Sequence, residues 1–204
     1  MLREELSPSV NANARLTGVA GITLLFLLLA EVVTVVLGAA RVLSVHVAIG
    51  LVLGPALALK LGSTTWRMVN YYRGRKDYVR AGRPARLLRV LSPVLGVTMV
   101  LLVTSGTVLL VGPRSAHRGA LMIHKATFYL TLLAIAPHLV RHLVAAARLT
   151  ADGVARDRAR PVSTLRRPWI AVLASLLLGA AFAAALSGQV DPYLHHNPAQ
   201  HPHR

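Results

Sequence analysis

Residues 16–37, LTGVAGITLLFLLLAEVVTVVL, decide the fold class of this chain. Their only charged residue is Glu31. A helix needs about 20 apolar residues to cross a bilayer core of about 30 Å, so this stretch is long enough to span a membrane. The apolar core of a secretory signal sequence is only about 7–15 residues long. The stretch therefore predicts a retained membrane helix.

The composition of the whole chain points to the same class. Of its 204 residues, 54% are hydrophobic and 15% are charged, whereas soluble domains average about 25% charged residues. We predict an all-α, polytopic membrane protein in which four spans form a bundle and a fifth transmembrane helix follows. Besides the first span, the predicted spans are residues 41–63, 90–111, 119–143 and 168–187.

The basic residues indicate the orientation in the membrane. Lys and Arg number 23 against 7 Asp and Glu, and they cluster at residues 66–89 and 146–167. The positive-inside rule then places residues 1–15 and both basic loops in the cytoplasm, and the His-rich tail 188–204 outside. We expect a prokaryotic plasma membrane protein in contact with lipids. Because apolar runs interrupt the basic clusters, a nucleic-acid groove is excluded.

Histidine is the main candidate for chemistry, because the chain has no cysteine. This absence excludes thiol catalysis, iron–sulfur ligation by cysteine and disulfides. His46 lies about five residues into the second span, and His124 lies a similar distance into the fourth. Both spans run in the same direction, so the two side chains are predicted at one depth. Polar residues inside a membrane are candidates for function, and two imidazoles at one depth can hold one metal centre.

A second position on each span follows fourteen residues later. On the fourth span it is His138, about 21 Å away along the helix and on nearly the same face as His124. On the second span the matching residue is Lys60. The fourth span therefore carries two histidines fourteen residues apart, whereas the second span carries only the first of the two.

This spacing resembles that of the membrane-integral cytochrome b family, which includes the b-type subunits of bacterial hydrogenases and formate dehydrogenases. The resemblance covers about residues 15–145 and implies a cytochrome b-like four-helix haem-binding bundle over residues 16–145. It implies that His46 and His124 are the axial ligands of an outer haem b. His138 matches one ligand of an inner haem, and Lys60 stands in the place of its partner, which leaves the second haem open.

Further residues are candidates for haem contacts. Gly50 and Gly54 follow His46 by four and eight residues and keep one stripe of the helix free of side chains. They can pack against haem, or they can let two membrane helices approach closely. Lys125 and Arg114 can pair with the haem propionates, or they can anchor the helix ends.

The remaining polar residues in the spans each have two interpretations. Lys60 can extend its amine towards the membrane surface, or it can bind iron if burial leaves the amine neutral. His138 follows Pro137 and can hydrogen-bond to a backbone carbonyl. Glu31 can accept protons at a quinol pocket or pair with a neighbouring cation. Four tail histidines suit a disordered tail or a loose metal site: His195, His196, His201 and His203.

The resemblance implies the function of a b-type haem subunit that moves electrons between a quinone pool and a partner redox protein. Such a chain contains no catalytic residue and is one subunit of an oxidoreductase. Two alternatives belong to other classes. The first is a small membrane transporter or proton channel that uses Glu31, Lys60 and the histidines as relay groups. The second is a non-redox structural subunit of a membrane complex.

Overall fold

The computed structural model of this chain describes residues 7–82, 86–153 and 163–190, and its side chains are described over 7–82, 89–137 and 168–190. A short 3-10 turn, Ser187–Gln189, follows the last helix. The helices of the described part are α1 Pro8–Val36, α2 Leu43–Tyr72, α3 Lys76–Arg80, α4 Arg86–Val111, α5 Arg114–Gly153 and α6 Ser163–Leu186.

Five of these helices, all except α3, are long and apolar enough to cross a membrane. They correspond in order to the five predicted spans. Within a bilayer a helix satisfies every backbone hydrogen bond by itself, which explains why long apolar runs form this one kind of element. The prediction of an all-α, multi-pass membrane protein is confirmed.

Several helices extend beyond the apolar runs that predicted them. α1 begins at Pro8, whose fixed φ suits the first position of a helix. α5 continues to Gly153, well into the basic segment predicted as a loop, and α6 begins at Ser163, before the apolar run. Hydropathy marks where a helix lies in the bilayer, whereas backbone hydrogen bonding can continue past the interface.

Between α1 and α2 the chain turns at Gly38, whose φ of +91° favours glycine.

α2 lies at the centre of the molecule and packs against α1, α4 and α6. Its contacts with α1 and α4 form a hydrophobic core made of Leu24, Leu53, Ala56, Leu57 and Met99. α5 packs mainly against α4. α2 and α5 therefore both pack against α4, whereas they do not pack extensively against each other.

α6 belongs to the central part of the molecule, since it packs against both α2 and α1. Gly179 makes this close approach possible, because a Cβ at this position would lie 2.5 Å from the Cα of Val52. Small residues commonly allow membrane helices to approach in this way. The fifth span, which the sequence placed outside the four-helix region, thus completes a three-helix unit with α1 and α2.

Polar contacts join α1 and α2 at two depths. At one end Glu31 contacts His46, and at the other the amine of Lys60 donates to the carbonyl oxygen of Thr17 at 2.6 Å. The two contacts are fourteen residues apart along both helices, which is about 21 Å. This antiparallel register fixes Lys60 and His46 against two different levels of α1.

Candidate functional site

The structure brings His46 of α2 and His124 of α5 together. Their ring centroids are 6.2 Å apart and their planes are nearly perpendicular, at 87°. We refer to these two residues as the histidine pair. Because α2 and α5 do not pack closely, the two imidazoles bridge the space between them. The proximity agrees with the predicted matched depth of the two residues, while the role of the pair as haem ligands stays a prediction.

α4 fixes the ring of His124. The Nδ1 atom of His124 lies 3.0 Å from the carbonyl oxygen of Leu102 and 3.3 Å from the hydroxyl of Ser105. Since a carbonyl oxygen only accepts hydrogen bonds, Nδ1 donates to Leu102 and carries a proton. In the neutral ring the lone pair is then on Nε2. Gly106 leaves room for this ring, because a Cβ there would lie 3.1 Å from Cε1 of His124.

α1 fixes the ring of His46. Its Nδ1 atom lies 2.6 Å from Oε2 of Glu31 and 2.8 Å from the hydroxyl of Thr34. The same hydroxyl lies 2.7 Å from the main-chain oxygen of Glu31. The Glu31 side chain is only 9% exposed. With Glu31 ionised, Nδ1 of His46 is the donor and Nε2 holds the lone pair.

Both rings therefore have the arrangement of metal-binding histidines, in which a hydrogen-bond acceptor holds one ring nitrogen and thereby orients the other. Within the described residues, neither the Nε2 of His46 nor that of His124 makes a hydrogen bond. No group of three or more His, Asp or Glu able to hold a metal ion occurs in that part of the chain. The pair thus offers two ligands, which suits a metal whose remaining ligands belong to its own cofactor.

The two glycines predicted to pack against haem contact other elements of the protein. A Cβ at Gly50 would lie 3.3 Å from Oε1 of Glu31, and a Cβ at Gly54 would lie 3.6 Å from Cγ1 of Val103. The absence of a side chain at Gly50 therefore leaves room for the Glu31 carboxylate, and the absence of one at Gly54 leaves room for α4. Their contact with haem stays a prediction.

Lys60 is directed towards α1. Thr17, whose carbonyl accepts from the Lys60 amine, lies at the same level of the bundle, so the amine crosses between helices and does not extend along α2 towards the membrane surface. A Cβ at Gly21 would lie 3.0 Å from Nζ, which shows how closely the amine meets the α1 backbone. His138 lies in α5, but its side chain is outside the described part. A second haem at this level stays a prediction.

The remaining predicted cations and histidines do not contact the histidine pair in any described interaction. The side chains of Arg114 and Lys125 are exposed, and their pairing with propionates stays a prediction. Nε2 of His117 lies 3.1 Å from the carbonyl oxygen of Gly112, at the start of α5. The tail histidines lie outside the described residues.

Sequence reasoning missed the hydrogen-bonding partners of the two rings. Thr34 and Ser105 were not singled out, and neither was the carbonyl of Leu102. The spacing of Thr34, three residues after Glu31, was an available signal, because residues three apart share one face of a helix. A backbone carbonyl carries no such signal in the sequence.

No protein-family model, no curated protein and no solved structure matches this chain.

Proposed function

We propose that this chain is a b-type haem membrane cytochrome subunit, in which His46 and His124 bind the haem iron through Nε2. In this role it passes electrons between a quinone pool and a partner redox protein. The observation that carries the proposal is the orientation of the two rings. Each Nδ1 is held by an acceptor on a neighbouring helix, and each Nε2 is without a hydrogen bond in the described part.

The histidine pair fits the ligand requirement of haem. Imidazole nitrogens bind metal ions at about 2 Å, and the two ring centroids are 6.2 Å apart, so both rings would be within reach of one metal ion between them. Haem bound here would supply a one-electron change at its iron, and His46 and His124 would hold it. The protein therefore need not supply a third ligand.

The chain itself orients the two rings. Thr34 and Ser105, which contact the Nδ1 atoms of the two rings, are buried, and so is Glu31. Hydrogen bonds of this kind fix the orientation of a ligand ring and its strength as a ligand. We propose that the electron partner is a separate polypeptide and that the N-terminus faces the cytoplasm of a prokaryotic cell, as the basic loops indicate.

Visible spectroscopy of the chain purified in detergent tests the proposal. We expect the oxidised and dithionite-reduced spectra of a low-spin b-type haem, at about one haem per chain from the single histidine pair. His46→Ala and His124→Ala should each abolish this signal, because each removes an axial ligand. His117→Ala is the matched control and should retain it, since His117 contacts Gly112.

Two results would contradict the proposal. One is full haem content in both ligand variants, and the other is the absence of haem after expression with ample haem supply. An unaltered, monodisperse elution profile of each variant in size-exclusion chromatography in detergent separates loss of haem from loss of the fold.

One observation favours a second candidate function, a proton channel. Oε1 of Glu31 is buried and has no hydrogen-bond partner within the described residues, and buried acids in membrane helices mark proton relays. Glu31 and the histidine pair would then carry protons. Proton flux into vesicles that contain the haem-free chain, abolished by Glu31→Gln, would support this function in place of the first.

A further inference from the structure

The two rings of the histidine pair have partners of different charge. Nδ1 of His46 contacts the carboxylate of Glu31 at 2.6 Å, whereas Nδ1 of His124 donates to the neutral carbonyl of Leu102 at 3.0 Å. The shorter contact is in the range of a charge-assisted hydrogen bond. One ligand is therefore held by an acid and the other by the backbone.

The Glu31 carboxylate is built into the fold at this position. Its side chain is nine-tenths buried, and the absence of a side chain at Gly50 leaves room for Oε1. The hydroxyl of Thr34 lies 3.1 Å from Oε2. Within the described residues, the only ion pair of Glu31 is the one with His46. No lysine or arginine there offsets its charge at close range.

A buried carboxylate next to a ligand ring acts on whatever the ring binds. A hydrogen bond from the imidazole to a carboxylate raises the basicity of the ligand. In a medium of low dielectric constant, a negative charge also interacts more strongly with a nearby positive one. Both effects favour the more positive, oxidised state of a bound centre, and hydrogen bonds to the ligands of a haem help to set its reduction potential.

We propose that Glu31 is a positioning residue that holds the ring of His46 and stabilises the ferric over the ferrous state of the haem bound by the histidine pair. This inference rests on the proposed function. The couple takes up one electron, and no proton joins or leaves Glu31 or His46. Glu31 thereby lowers the reduction potential of the haem through its contact with His46, and His124 has no such acidic partner.

A redox titration of the purified chain at constant pH, followed in the visible spectrum, tests the inference. Glu31→Gln keeps the shape and an acceptor oxygen but removes the charge. We expect its midpoint potential to rise by at least about 59 mV, which corresponds to a tenfold change in the equilibrium constant of a one-electron couple. Asp77→Asn is the matched control. It removes the same charge from α3, near the opposite end of α2, and should leave the potential unchanged.

The outcomes separate this inference from the proposed function. A wild-type chain without haem overturns the proposed function. Haem retained in Glu31→Gln at the wild-type potential overturns the inference alone. If Glu31→Gln loses haem, Glu31→Asp decides the matter. If Glu31→Asp binds haem, its midpoint potential is compared with that of Glu31→Gln titrated with excess haem. A lower potential in Glu31→Asp supports the role of the charge. Loss of haem from both variants overturns it.

Discussion

At the scale of single residues, the position of His124 depends on the missing side chain of Gly106. A Cβ at Gly106 would lie 3.1 Å from Cε1 and 3.4 Å from Nδ1 of the ring. The ring can move away only by lengthening its 3.0 Å hydrogen bond to the carbonyl of Leu102. The missing side chain at Gly106 therefore lets the imidazole lie close to α4, and the hydrogen bond to Leu102 keeps it there.

We predict that Gly106→Ala lowers haem retention and destabilises the protein by about 1–3 kcal/mol, as overpacking typically does. The measurement is haem content together with thermal unfolding in detergent. Gly62→Ala is the control, because a Cβ at Gly62 would meet no described atom within 4 Å. It should leave haem content unchanged and stabilise α2 by up to about 1 kcal/mol. Equal behaviour of the two variants would contradict the role given to Gly106.

The sequence predicted where the histidines lie along their helices but not what they contact. A matched depth for His46 and His124 follows from counting residues within two spans. The partner of each ring depends on which helix lies next to it and how that helix is rotated, and neither is encoded in the spacing along a single span. For this reason the sequence left two roles open for Lys60, at the membrane surface or at iron, and did not predict the contact of its amine with the carbonyl oxygen of Thr17.

At the scale of helices, the contact between α6 and α2 leaves no room for a side chain at Gly179. The Cβ of an alanine at Gly179 would lie 2.5 Å from Cα and 3.1 Å from the carbonyl oxygen of Val52. These are backbone atoms, so a change of rotamer cannot relieve the clash. The two helices must separate if the side chain is to fit.

We therefore predict that Gly179→Ala destabilises the protein by about 1–3 kcal/mol or more, measured by unfolding in mixed micelles. Gly18→Ala, in α1, is the control, because no described atom lies within 4 Å of a Cβ there. If the Gly179 variant unfolds no more readily than this control, α6 does not pack against α2 as described.

The hydropathy of the chain was sufficient to identify the five long helices but not their arrangement. Each apolar run predicts one helix because the bilayer leaves few alternatives. The same runs do not distinguish lipid-facing from helix-facing surfaces, since both are apolar in a membrane protein. The place of α6 beside α1 and α2 depends on the shape of its contact at Gly179, which hydropathy does not record.

At the scale of the whole molecule, the basic segment after α2 predicts the orientation. The chain has no cysteine, so single cysteines can report which side of the membrane a residue faces. We predict that Ala40→Cys, between α1 and α2, reacts with an impermeant maleimide in intact cells. Val79→Cys, in α3, should react only after permeabilisation, because the positive-inside rule places α3 in the cytoplasm. The reverse pattern would overturn the proposed orientation.

The three-helix unit of α1, α2 and α6 is discontinuous in the chain, because α4 and α5 are placed between α2 and α6. During synthesis, the face of α2 around Val52 is therefore left to lipid or to a chaperone until α6 has left the ribosome. The α4–α5 hairpin has by then been inserted, and His124 can already meet His46. In the order of synthesis, α6 can therefore pack against the helix that carries His46 only after the helix that carries His124 has been made.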